Sequence, residues 1–388
     1  MNGQKQGTKS VLDVSNVNRK GAPDSATIPR LNYLAEDNFY LSATFVDFLA
    51  KWLDKSGYEN ERWFDQRSEE LSGHHSVMRR RGPLRLERLL SDETAQAAIV
   101  SVHRWFYNLA TVRSDALEYL HKRYRFIAIV GAPRTGGSYL TGEAFSAVGY
   151  NPTAVPAAIA HDGFPEAQPI TLSPGNNAWI TSLLTTSEYL TLLDIFFPVS
   201  RNGQPQVVPK KLTKGVYAGS FFNSLLGEST EYVITIRHPI SCCISAYEKS
   251  GGLPPGGMFK ARSTIEKWIK RDLLSTGVSV SEIASMGYFE AFARFWEQYY
   301  INLAVSGLTK HRLRRVIPFG DSSMEAAARA LHSCHGSVRK VSEFTIHGDL
   351  SRRHPLWTRR ADEAMARVES IWQMVGLTFP SAELGNCL

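Results

Sequence analysis

A short apolar run that leads into a glycine-rich turn constrains the fold of this chain more than any other segment. The run "RFIAIV" (Arg125 to Val130) is followed at once by "GAPRTGGSYL" (Gly131 to Leu140). The first stretch is apolar and partly β-branched, as in strands that are buried on both faces of a sheet. The second has the outline of a turn that joins a strand to a helix and binds phosphate. We therefore predict a strand, an anion-binding loop and a helix in this order.

Three further apolar runs extend this pattern towards the C-terminus. Segments of helical composition follow the strand-like runs, and Pro239 stands where a first-turn proline begins a helix. The runs are "QVVP" (206–209), "YVITI" (232–236) and "RRVIPF" (314–319). Alternating strands and helices predict an α/β fold with a parallel sheet covered on both faces. Because ligands of such sheets bind at the carboxyl ends of the strands, residues 131–138, 210–213 and Arg237 should lie along one edge.

The first third of the chain has a different pattern. Residues 1–30 are polar and are predicted to form a disordered tail, and residues 31–120 are predicted to be an all-helical extension that packs on an α/β domain of residues 121–388. Two sets of apolar residues have the spacing of a buried helix face. They are Phe45, Phe48, Leu49, Trp52 and Leu53, and then Ile99, Val102, Phe106 and Leu109.

Composition indicates a globular protein and excludes several classes. The 388 residues are 43% hydrophobic and 21% charged. The longest apolar stretch, "YLTLLDIFFPV", is shorter than the roughly 20 residues of a membrane-spanning helix, and the N-terminus lacks the apolar core of a secretory signal. Four cysteines without a disulfide or zinc spacing favour a reducing cytoplasm. A net charge of +7 fits an anionic small ligand and does not indicate a nucleic-acid partner.

The loop itself keeps part of the nucleoside-triphosphate pattern. Gly131, Gly136 and Ser138 have the spacing of the phosphate-binding loop, but Gly137 stands at the lysine position. Small residues allow the backbone to approach an anion, and Arg134 adds a planar cation that fits phosphate or sulfate. The loop therefore predicts an anion held by protein donors without a metal. A tight turn with a surface arginine is the alternative.

A second motif lies about 100 residues further on. In "IRHPISCCIS", Arg237 ends a strand-like run and Ser245 follows eight residues later, two turns into the next helix. Both side chains can converge on one phosphate. Together with "PRTGGSYL", this pair resembles the sulfotransferases that use 3′-phosphoadenosine 5′-phosphosulfate (PAPS). The resemblance covers about residues 126–247 and does not reach the first third of the chain.

The resemblance implies a P-loop sulfotransferase-like fold, PAPS as the sulfuryl donor, adenosine 3′,5′-bisphosphate as product and no metal. It assigns the 5′-phosphosulfate to the first loop, and the 3′-phosphate to Arg237 and Ser245. The loop residues are Arg134, Thr135, Gly136, Gly137, Ser138 and Tyr139. Two of them depart from the family, since Gly137 replaces a threonine and Tyr139 replaces a common tryptophan. Arg339 and Lys340 are candidates for the family's C-terminal basic loop, and Arg352 and Arg353 are the alternative candidates.

The resemblance also implies a catalytic cation and a histidine from the strand between the two motifs. In "VVPKKLTKG" the cation is Lys211 or Lys210, beside Arg134 in the loop, but no histidine follows. The general base must come from elsewhere. His161 is the leading candidate, followed by Asp162 and Glu166, while His347 and His354 remain open; each of these could equally be structural.

The sequence thus predicts a cytoplasmic sulfotransferase that acts on a hydroxyl or amine of a small molecule. A divergent P-loop kinase or ATPase is the alternative enzyme, although the missing lysine and the second motif count against it. A non-catalytic anion-binding protein on the same fold is the third reading, because the expected histidine is missing. His332, Cys334 and His335 lack the second half of a ligand set, so no metal site is predicted.

Overall fold

The predicted parallel sheet is present at the centre of the fold. The structure is a computed structural model that describes residues 30–34, 39–53, 91–165, 178–197, 203–249, 257–308, 314–346 and 355–385. Four parallel strands form one sheet. They are β3 (Tyr124–Gly131), β4 (Gln206–Lys211), β5 (Glu231–Ile236) and β6 (Arg314–Pro318). Their order in the sheet is β4-β3-β5-β6. This confirms the α/β class and all four strands predicted from the apolar runs.

Helices flank this sheet and fill most of the remaining described chain. Those before β4 are α1 (Ala43–Leu53), α2 (Glu93–Ala110), α3 (Ser114–Arg123), α4 (Gly137–Ala147), α5 (Ala157–Ala160) and α6 (Ala178–Phe196). Those after β4 are α7 (Gly219–Leu226), α8 (Pro239–Lys249), α9 (Thr264–Ser275), α10 (Val280–Ser285), α11 (Tyr288–Val305), α12 (Asp321–Cys334), α13 (Pro355–Met374) and α14 (Ser381–Gly385). Short 3-10 turns span Pro152–Ala154 and Thr213–Ala218.

Successive residues of the central strands face opposite sides of the sheet, and both sides are buried. On β3, Phe126, Ala128 and Val130 belong to the larger apolar cluster, which includes much of α11. Ile127 and Ile129 belong to the smaller cluster, which is formed with α4 and α12. Because both sides are buried, apolar residues occupy successive positions of the strand and do not alternate with polar residues.

The first third packs on this core but is not all-helical. The predicted buried faces are confirmed for α1 by Phe45, Phe48 and Leu49, and for α2 by Ile99 and Val102. However, β1 (Arg30–Leu34) and β2 (Phe39–Ser42) form an antiparallel pair, so the all-helical prediction is wrong here. The sequences "RLNYL" and "FYLS" carry aromatic residues that favour strands, and these were outweighed by the stronger helical period that follows. Residues 1–29 of the predicted tail lie outside the described residues, and Arg30 is the first residue of β1.

Asp272 on α9 is a buried carboxyl group with a titration close to neutrality. Burial raises its pKa from 3.8 to about 7, although Tyr217 lowers it through a hydrogen bond. Between these two values the folded protein binds more protons than the unfolded chain, so the free energy of unfolding falls as pH rises. Ionising Asp272 therefore destabilises the fold at neutral and higher pH.

Replacing Asp272 with asparagine should remove this penalty. Asparagine is close to aspartate in size but cannot ionise, so Asp272→Asn should raise the free energy of unfolding by about 2–4 kcal/mol at about pH 8, and much less at about pH 4. Urea unfolding of both proteins at the two pH values measures this difference. Asp362→Asn, at an exposed site on α13, is the matched control. A gain of the same size at both pH values would show that Asp272 does not titrate as described.

Candidate functional site

The predicted anion loop joins β3 to α4 and its glycines are required by the geometry. A Cβ atom at Gly131 would lie 2.6 Å from the carbonyl oxygen of Thr235 on the adjacent strand, which has no room to move. Gly136 has a φ of 83° and is the N-cap of α4. Both positions exclude larger residues, so the loop backbone lies tightly over the sheet edge. The first N–H groups of α4 point out of this edge and provide the partial positive charge of a helix N-terminus.

The structure brings the two sequence motifs together. The Nε atom of Arg134 donates to Oγ of Ser245 at 3.2 Å. One terminal nitrogen of Arg237 donates to the carbonyl oxygen of Arg134 at 3.1 Å. Arg134 adopts a φ of 72°, a left-handed conformation that is uncommon for a residue with a side chain. This conformation turns its guanidinium from the loop towards α8, so two arginines and a serine from three elements lie side by side.

Arg237 is held in place by groups that the sequence motifs did not indicate. Its guanidinium carbon lies 4.1 Å from the ring centroid of Phe319, and the residue is only 4% exposed. Nε1 of Trp296 donates to its carbonyl oxygen at 3.0 Å. Phe319 immediately follows β6, and its position at the carboxyl end of a strand is the sequence signal that could have identified it.

Two of the predicted loop residues use their side chains for structure. Thr135 is 2% exposed, and its hydroxyl donates to the carbonyl oxygen of Ala132 at 2.8 Å. The Tyr139 hydroxyl donates to the carbonyl oxygen of Ser342, and its ring packs 4.7 Å from that of Phe344. Their backbone N–H groups remain available for the predicted role. A Cβ atom at Gly137 would lie 3.4 Å from Cε of Lys211, so this lysine side chain runs beside the start of the helix.

The two adjacent lysines at the end of β4 have different environments. Nζ of Lys211 donates to Oγ of Ser138 at 3.2 Å, which places this ammonium group beside the first turn of α4. Lys210 is 1% exposed and donates to the backbone carbonyl oxygens of Ile159, His161 and Phe164. Of the two lysines, Lys211 is therefore the one that adds a cation to the loop.

His161 and Asp162 lie next to Lys211. Nδ1 of His161 is 2.7 Å from Oδ1 of Asp162, and Nζ of Lys211 is 3.7 Å from Oδ2 of the same carboxylate. Burial lowers the pKa of His161 below 6.5, and Asp162 opposes this shift. Although burial opposes ionisation of Asp162, Lys211 and His161 hold the pKa of that carboxyl well below 3.8. The imidazole is thus neutral near pH 7 and the carboxylate is charged.

The C-terminal basic residue Arg339 lies away from this site. Its two terminal nitrogens donate to the carbonyl oxygens of Tyr150 and Gly149, beyond the C-terminal end of α4. The loop is at the opposite end of the same helix, about 16 Å away for 11 residues. Arg339 binds carbonyl oxygens of the turn that follows α4, which argues against its predicted role in binding the donor. Arg352, Arg353, Glu166, His347 and His354 lie outside the described residues.

The assembled site suits a multiply charged anion. Arg134, Arg237 and Lys211 surround the N-terminus of α4, and Ser138 and Ser245 add hydroxyl groups. Charge-assisted hydrogen bonds of this kind are the strong ones that fix phosphate and sulfate groups. In the described part of the chain, no three His, Cys, Asp or Glu residues are grouped so that they could hold a metal ion. His332 is engaged instead by Glu143 at 3.0 Å and by Ser337.

Comparisons with known proteins add no relative. Among the described residues, no helix has both the length and the apolar character needed to cross a membrane. The chain matches no family model, no curated protein and no solved structure with which it was compared.

Proposed function

We propose that this protein is a sulfotransferase that transfers the sulfuryl group of PAPS to a hydroxyl or amine of a small molecule. The observation that carries the proposal is the contact of Arg134 with Ser245, together with that of Arg237 with the Arg134 backbone. These residues come from two motifs that are about 100 positions apart in the sequence. Their proximity supports one nucleotide with two anionic ends rather than two unrelated anions.

The donor fits the charges and hydroxyls available. Arg237 and Ser245 would hold the 3′-phosphate, and the loop N–H groups with Ser138 would hold the 5′-phosphosulfate. Arg134 reaches from the loop to Ser245, so it would lie between the two charged ends. Charge on the departing 5′-phosphate grows during transfer, and fixed donors aimed at that position lower the barrier. This role requires no metal among the protein groups described.

The chemistry is an in-line transfer. The bond between sulfur and the bridging oxygen of the phosphosulfate breaks, and a bond forms between sulfur and the acceptor oxygen or nitrogen. The electron pair of the broken bond leaves with the phosphate oxygen, and a base takes the proton of the acceptor. His161 is neutral near pH 7 because burial lowers its pKa, so it can accept that proton.

Asp162 is suited to a different role from that of His161. Lys211 and His161 lower its pKa well below 3.8 against the effect of burial, and a carboxylate this weakly basic is a poor proton acceptor at neutral pH. Its distances to Nδ1 of His161 and to Nζ of Lys211 suit it to orient both groups. Asp162 also stabilises the imidazolium that forms when His161 takes a proton. We therefore assign the base to His161 and an orienting role to Asp162.

Transfer from radiolabelled PAPS to a panel of hydroxyl and amine acceptors, in the presence of a chelator, tests the proposal. Arg134→Ala should weaken nucleotide binding and should also lower kcat by about tenfold at saturating PAPS, because its charge would face the bond being broken and would bind more strongly as negative charge grows on the leaving phosphate. Arg329→Ala is the matched control, since Arg329 is exposed on α12 and pairs with Glu325.

If Arg134→Ala leaves kcat unchanged, the loop binds the nucleotide but Arg134 does not contribute to the transfer step. If the parent protein transfers no label to any acceptor but binds PAPS tightly without metal, the non-catalytic reading is favoured. Tight binding with turnover that a chelator abolishes would contradict the proposed metal-independent reaction.

A further inference from the structure

Lys210 and Lys211 are neighbours in sequence but face opposite sides of the sheet. Side chains alternate along a strand, so Lys210 lies on the side of Val208 and the larger apolar cluster, whereas Lys211 lies on the side of α4. Lys211 reaches the anion loop. Lys210 is 1% exposed, and its Nζ lies 4.6 Å from the ring centroid of Tyr189 on α6. A lysine that is buried this completely needs a specific set of partners.

The carbonyl oxygens that accept hydrogen bonds from Lys210 all belong to one segment, residues 159–164. Its Nζ donates to the carbonyl oxygen of Ile159 at 2.9 Å, to that of His161 at 2.6 Å and to that of Phe164. Three carbonyl oxygens match the three N–H donors of an ammonium group. The segment 159–164 has little regular structure, since α5 ends at Ala160. Lys210 therefore supplies hydrogen bonds that helix or sheet geometry would otherwise supply.

The same segment also contacts the second lysine, through Asp162. Asp162 lies between His161 and Gly163 and is 3.7 Å from Nζ of Lys211. Strand β4 is at the edge of the four-stranded sheet. Segment 159–164 thus wraps around this edge strand, bound through its backbone to Lys210 on one face and through Asp162 to Lys211 on the other.

We infer that Lys210 is a positioning residue, which fixes segment 159–164 on β4 and thereby holds His161 and Asp162 beside Lys211 and the anion loop. The catalytic part of this inference rests on the proposed function, whereas the structural part does not. Lys210 takes no part in proton transfer or anion binding, because its three N–H donors are used by carbonyl oxygens and its Nζ is on the far side of the strand.

Hydrogen exchange of the full-length protein tests the structural part without any assay of activity. Lys210→Met keeps the length of the side chain and removes its donors. We expect amide exchange in residues 157–165 to accelerate by at least about tenfold, while β3 and β5 stay protected. Lys122→Met, at an exposed lysine paired with Glu118, should change neither region. If Lys210→Met does not fold, Lys210→Gln, which keeps two donors, should give a smaller increase in the same segment. Unchanged exchange in residues 157–165, or faster exchange throughout the sheet, would overturn the inference.

Kinetics test the catalytic part. Lys210→Met should lose turnover to about the level of His161→Asn, with the dissociation constant of adenosine 3′,5′-bisphosphate within about threefold of the parent. In the His161→Asn background, Lys210→Met should cause no further loss, because both changes disable the same group. Multiplicative losses, or a large loss of nucleotide affinity, would contradict the positioning role. If the parent protein shows no sulfotransfer, the proposed function fails while the exchange result still decides whether Lys210 holds the segment.

Discussion

His161→Asn should lower kcat by about two to four orders of magnitude while leaving the affinity for adenosine 3′,5′-bisphosphate unchanged. The imidazole is the proposed base, and it lies beside Asp162 and Lys211 and not among the two arginines that would hold the nucleotide. Asparagine keeps a similar size and a polar group but cannot take up the proton of the acceptor. Steady-state kinetics and calorimetry on the same preparations separate the two effects.

The pH dependence of kcat tests the proposed role of His161 independently. Burial lowers the pKa of His161 below 6.5, so the active, neutral form is lost only on acidification below that value. The rate of the parent should rise with pH through this pKa and be level near neutrality. Lys211→Ala should also lose turnover, as an electrostatic defect, but should retain the acidic limb that His161→Asn loses. Full turnover in His161→Asn would contradict this assignment and would leave Glu166, His347 and His354 as candidates for the base.

Arg237→Ala should weaken the binding of adenosine 3′,5′-bisphosphate by about tenfold to a hundredfold, since a lost charge-assisted hydrogen bond is worth about 1.5–3 kcal/mol. Adenosine 5′-phosphate, which lacks the 3′-phosphate, should lose little affinity. The buried guanidinium is fixed by Phe319 and by the Arg134 backbone, so the phosphate would meet a pre-positioned cation.

Ser245→Ala is the companion variant for this site. It should show the same preference between the two nucleotides with a smaller loss, because it removes a neutral hydroxyl group and no charge. Calorimetric titration of both variants with both nucleotides provides the four affinities required. Equal losses on the two nucleotides would remove the assignment of the 3′-phosphate to Arg237 and Ser245.

The strands and the sheet edge were predictable from sequence because they depend on short-range patterns. Runs such as "FIAIV" and "YVITI" are apolar at nearly every position, as is typical of a strand that is buried on both faces. Once the strands are parallel, their carboxyl ends share an edge, and this brings Gly131, Lys211 and Arg237 together as predicted. The left-handed Arg134 and its contact with Ser245 depend on tertiary packing and were not predictable in detail.

Other features required the three-dimensional structure. The sequence "KK" places two lysines side by side at the end of β4. Only the structure shows on which face of the strand each lysine lies, and therefore which of them reaches the anion loop. Arg339 was a candidate for the donor site because its segment resembles the family's C-terminal basic loop, but its side chain binds the turn that follows α4. The strand pair β1–β2 was missed because its local signal is weak beside the helical period that follows. For the two lysines and for Arg339, the deciding interaction is between residues that are distant in sequence.

Calorimetric titration of the parent protein with adenosine 3′,5′-bisphosphate in the presence of a chelator tests the central claim most directly. The matched titration uses ATP with magnesium, which is the ligand expected if the protein is a kinase or ATPase. We expect the bisphosphate to bind without metal, and more tightly than ATP, because Arg237, Ser245 and Arg134 converge beside the loop and no lysine follows its second glycine. Magnesium-dependent binding of ATP that is tighter than binding of the bisphosphate would contradict the proposed sulfotransferase.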